Sequence, residues 1–99
     1  MLLFTVSASY DGGTYISQVR AVSVSQAVMF WAEQLEAKSI LGLGPKSKAK
    51  LVEDLQLERE EGHGPVLLNG LVNAWCETAL IRGKLMIMDI IQTDELKAP

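Results

Sequence analysis

The stretch from Leu85 to Ile91 carries large apolar side chains at both parities, with Leu85, Ile87 and Ile91 at one and Met86, Met88 and Ile90 at the other. Successive side chains of an extended strand point to opposite faces, so a strand with this pattern needs cover on both sides. Leu71 to Ile81 precedes it, joined through Arg82-Gly83-Lys84, where Gly can take the left-handed conformation that short hairpin turns require. The two stretches are expected to form an antiparallel hairpin, the hydrophobic half of the chain.

The N-terminal end predicts a second hairpin. Phe4, Val6, Ala8 and Tyr10 alternate with Thr5, Ser7 and Ser9, the period of a half-buried strand. Asp11-Gly12 follows, a favoured turn because Gly tolerates positive φ and Asp tolerates it better than most residues. A return strand should run from Thr14 to about Val22, with Tyr15, Val19 and Ala21 on one side and Ile16 and Val22 on the other. Tyr10 and Tyr15 flank the turn and are expected to pair across it.

Between the hairpins, Ser23-Val24-Ser25-Gln26 has the form of a capping box, with Ser25 as a rival cap. Val24, Ala27, Val28, Trp31 and Leu35 then recur at steps of three and four, widened by Met29 and Phe30, which predicts a helix to about Lys38. Gly42-Leu43-Gly44-Pro45 should break it. From Pro45 to Gly62 the spacing of Leu51, Val52, Leu55 and Leu57 fits either a short helix or a strand; helix is favoured, with Pro45 in its first turn. Glu58 to Pro65, charged and punctuated by glycine, is expected to be a mobile connection.

Ninety-nine residues suffice for one domain spanning 1–99, and 48% hydrophobic against 21% charged residues excludes disorder of the whole chain. The expected fold is α+β: a two-layer sandwich with a four-stranded antiparallel sheet in ββα(α)ββ order and one or two helices on one face. One face of such a sheet would be bare, so part of the set Leu85, Met86, Ile87, Met88, Ile90 and Ile91 should form an interface. A homodimer is the simplest cover, since twofold pairs are the commonest soluble assemblies and monomers rarely expose large apolar patches.

The remaining chemistry is sparse. Twelve acids against nine bases give a net charge of −3, which disfavours nucleic acid as a partner and suits a basic protein partner, as a small inhibitor or immunity-type binder would have. Glu53-Asp54 with Glu58, Glu60 and Glu61 forms an acidic stretch. The alternative is an anion or nucleic-acid site at Lys46, Ser47, Lys48 and Lys50, with Arg59 on the same face, although the spacing from Gly44 fails the phosphate-loop pattern. Cys76 and His63 are the one possible thiol and base, too thin a basis for catalysis; they fall short of zinc's ligand count, and no cofactor is called for. Asp89 interrupts an apolar strand, either paired with Arg20, Arg82 or Lys84 or guarding a sheet edge. Trp31 and Trp75 lie in apolar patterns and are expected in the core. A single cysteine, no signal-like N-terminus and no long apolar run lead to the expectation of a cytoplasmic, noncatalytic protein away from membranes.

Overall fold

A computed structural model of the chain describes residues 1–36, 40 and 43–94. The N-terminal alternation forms β1 (Leu2–Tyr10), which turns through Asp11 and Gly12 at φ 48° and 83° into β2 (Gly13–Ala21). Two successive positive φ values match the right-handed twist of the flanking strands, which is why Asp-Gly closes this hairpin. Tyr10 and Tyr15 do not face each other: Tyr10 stands opposite Gly13, and Ala8 opposite Tyr15. The Tyr15 ring occupies the space a Cβ on Gly13 would fill.

The capping box holds. Ser23 Oγ accepts from the Gln26 N–H at 3.2 Å, and the Gln26 side chain reaches back to accept from the Val22 N–H at 2.8 Å, starting α1 (Val24–Gln34). Ser25 is therefore not the cap. The helix stops at Gln34 rather than continuing towards Lys38, because Leu35 turns to an extended conformation while staying packed on the core. Lys38 and Gly42 lie outside the described residues. Pro45 opens α2 (Pro45–Glu60) at its first position, so the segment that fitted both periods is helical.

The sheet has five strands, not four. β3 (Val66–Leu67) is a two-residue strand just past the connection expected at 58–65, whose first residues to Glu60 belong to α2, and is followed by β4 (Ala74–Ile81) and β5 (Lys84–Thr93). Two residues carry no readable period, which is why the alternation does not announce β3. β4 also starts later than Leu71, since Leu68, Gly70 and Leu71 fold into a turn closed by Leu71 N–H donating to the Leu68 carbonyl at 3.1 Å. The order is β2-β1-β5-β4-β3, every pair antiparallel, so the last strand inserts between the two halves and occupies the centre. Asp89 therefore cannot serve as edge protection: it sits on the central strand.

Both helices pack on one face. That face presents Phe4, Val6, Ala8 and Tyr10 from β1 and Met86, Met88 and Ile90 from β5, all buried, against Val28, Trp31, Leu51 and Leu55. Tyr10 donates its hydroxyl proton to the Ile81 carbonyl at 3.0 Å, tying the first hairpin to the end of β4. Trp31 is buried as expected; Trp75 is half-buried, its ring edge-on to Phe4 at 6.2 Å between centroids.

Candidate interaction surface

The face away from the helices is largely open among the described residues, with Ala74 at its far end buried. Register builds it row by row: Leu80 beside Leu85, Thr78 beside Ile87, Cys76 beside Asp89 and Ala74 beside Ile91 on the β4 side. On the β1 side the same β5 residues meet Ser9, Ser7 and Thr5. The face is thus divided along β5, apolar towards β4 and hydroxyl-rich towards β1. Leu80 is 64% exposed, Leu85 51%, Ile91 38% and Ile87 37%, while Ile16 on β2 is 68% exposed. Part of the polar half bonds within itself: Gln18 Nε2 donates to Thr5 Oγ1 at 3.0 Å, and Thr5 and Thr93 share a hydroxyl bond at 3.3 Å.

The six expected interface residues are split by parity. Leu85, Ile87 and Ile91 lie on the open face, whereas Met86, Met88 and Ile90 are fully buried under the helices. The helical layer accounts for one parity of the strand and leaves the other bare.

Asp89 stands opposite Cys76 across the β4–β5 ladder. Lys84 reaches Asp11 instead, at 3.0 Å, and Arg20 stands opposite Leu3 at the far end of the sheet. Burial pushes the Cys76 thiol above its ordinary pKa, and the negative charge of Asp89 and the hydrogen bond to it add to the rise. A thiol held protonated is a poor nucleophile. His63 lies exposed in the connection after α2, its backbone N–H donating to the Glu58 carbonyl at 2.8 Å, and shares no hydrogen bond with Cys76.

The lysines do not all converge. Lys46, Ser47, Lys48 and Lys50 ride the first turns of α2, and at 3.6 residues per turn Lys48 points about 200° away from Lys46, while Lys50 shares the side of Lys46. Lys50 is engaged by Asp54 four residues on, at 2.6 Å, and the carboxylate raises its pKa. Arg59 is not on a basic face either. Its guanidinium forms a two-pronged pair with Glu77 of β4, at 2.7 and 2.8 Å, and donates to the carbonyls of Leu55 and Ser25. This pair, linking both helices to the sheet, escapes a reading of the sequence; the one available signal is an acid, Glu77, at the same parity as Trp75 and Ala79.

Glu53, Glu58, Glu60 and Glu61 are exposed along α2 and just past its end. Among the described residues no group of three or more His, Cys, Asp or Glu is placed to hold a metal ion, and no helix is long and apolar enough to cross a membrane. No family model, curated protein or solved structure matches this chain.

Proposed function

We propose that the chain is a noncatalytic protein-interaction module that pairs with a second copy of itself through the open sheet face. The observation that carries this reading is the run of exposed Leu80, Leu85, Ile87 and Ile91 on adjacent strands. Each Å² of apolar surface removed from water contributes about 25 cal/mol, and a twofold pairing removes the same patch from both copies. Asp89 is the lone charge within the apolar half, opposite Cys76 on β4. The acidic side chains of α2 remain free of that face and suit a basic protein partner.

The rival reading, an anion or nucleic-acid module, draws less support, because Lys48 points away from Lys46 and Lys50, Lys50 is engaged by Asp54 and Arg59 is committed to Glu77. Light scattering on the wild type and on Ile87→Lys tests the leading reading. A dimer at micromolar concentration that becomes monomeric in the variant, with the far-ultraviolet circular dichroism unchanged, supports it. A wild type that stays monomeric at high micromolar concentration overturns it.

A further inference from the structure

The outer edge of β4 is only partly covered. Arg82 and Gly83, both at positive φ, close a two-residue turn that pairs Ile81 with Lys84. From such a turn the hydrogen bonding alternates, so Ile81, Ala79 and Glu77 bond inward to β5 while Thr78 and Leu80 turn their N–H and C=O groups outward. β3 pairs with Cys76 and Trp75 and goes no further. Among the described residues no strand lies beside Thr78 to Leu80.

This edge forms one wall of a groove of about 450 Å³ whose other wall is α2. Leu57, half exposed, lies with Ala79, Leu80 and Leu85 along it, and Asp54 and Glu58 rim it. These two acids are four residues apart and therefore share one side of the helix.

We propose that this groove takes an extended, basic segment of a partner protein, which adds to the sheet as a strand in line with β3. Three observations point to the same occupant. Outward backbone groups at Thr78 and Leu80 call for a strand, the mode by which exposed sheet edges recruit peptides. Glu58 on α2, beside an Asp54 already paired with Lys50, calls for Lys or Arg at the positions facing the helix, whose aliphatic stems cross Leu57 before the charge reaches Glu58. Leu80 and Leu85 call for apolar side chains at the alternate positions, which emerge on the open face. The partner motif is thus an alternation of basic and apolar residues. It shares Leu80 and Leu85 with the open face, whereas Ile87 and Ile91 do not line the groove, so a change at Ile87 separates the two.

The test is a phage-displayed library of random nonapeptides selected on the intact protein, followed by amide chemical-shift mapping with the winning peptide. The expected result is a consensus that alternates Lys or Arg with Val, Ile or Leu. Its binding should perturb the Thr78 and Leu80 amides, weaken about tenfold in Glu58→Lys and survive in Ile87→Lys. Glu58 is exposed, so that substitution leaves the fold intact. An absence of enriched peptides, a consensus without basic residues, binding indifferent to Glu58→Lys or perturbations confined to β2 would each overturn the proposal. So would Thr78 and Leu80 shifts that track protein concentration without peptide, since a second copy would then occupy the edge.

Discussion

Arg59 and Glu77 are the residues on which the layers hinge. Glu77 projects from β4 into the helical side and is 7% exposed, so its charge is tolerable only because the guanidinium meets it on both oxygens. The network is incomplete, however: Arg59 Nε is buried with no partner among the described residues. Removing one member should leave the other charge stranded, and Glu77→Ala is expected to cost about 3–5 kcal/mol in urea denaturation. Replacing both with apolar residues of similar volume, Arg59→Met with Glu77→Leu, should cost much less than the single change, since a well-packed apolar pair avoids desolvating two ions. Cys76 offers a second residue-level test. Its thiol is held above the ordinary range by burial first and then by Asp89, so reaction with a disulfide reagent at neutral pH should be slower than for a free thiol. Asp89→Asn should speed it by removing the second cause. The sign for stability follows: the unfolded thiol ionises first as pH climbs past the ordinary cysteine value, so the Cys76 contribution is intact below that value and declines above it. Cys76→Ser should flatten that alkaline decline in denaturation curves.

Among the elements, the two helices start in opposite ways. α1 has a side-chain cap in Ser23, whereas α2 begins at Gly44 with no side-chain hydrogen bond and no acid in its first turn. Lys46 and Lys48 sit near its positive end instead, the wrong sign for the helix dipole. Gly44 has extended backbone angles, φ −91° and ψ 174°, and open space where a Cβ would go, so Gly44→Asp can supply both the missing acceptor and the missing charge. It should stabilise the protein by about 1 kcal/mol, raising the thermal midpoint by about 5 °C in a calorimetric scan. Such local chemistry is the part of the fold that is legible in the sequence: the box at Ser23 to Gln26, Pro45 at a helix start, and Asp11-Gly12 and Arg82-Gly83 at the turns each act within a few residues. β3 is illegible because its pairing is decided by Cys76 and Trp75, residues beyond the next turn. The partnership of Glu77 with Arg59 spans eighteen positions and depends on how α2 lies over β4. For the same reason the sequence shows that β5 needs two covers without showing which parity the helices take.

At the scale of the whole molecule, the two parities of β5 should respond differently to the same substitution. Met88 is fully buried between the sheet and the helices, so Met88→Lys places an unpaired ammonium where no water or carboxylate waits. That penalty is of the order of the entire stability of a small domain, about 5–15 kcal/mol, and the variant is expected to unfold rather than merely dissociate. Ile87, one residue earlier, points to the open face, and Ile87→Lys should leave the folded chain intact. The contrast separates fold from assembly in a single measurement, the thermal midpoint as a function of protein concentration. A chain that folds and pairs gains stability by mass action, so the wild-type midpoint should climb as concentration rises. In Ile87→Lys the midpoint should lose that dependence and settle near the wild-type value at high dilution. A wild-type midpoint that is flat across the concentration range would mean that Leu80, Leu85, Ile87 and Ile91 face water in the working protein, and pairing through the sheet would have to be given up.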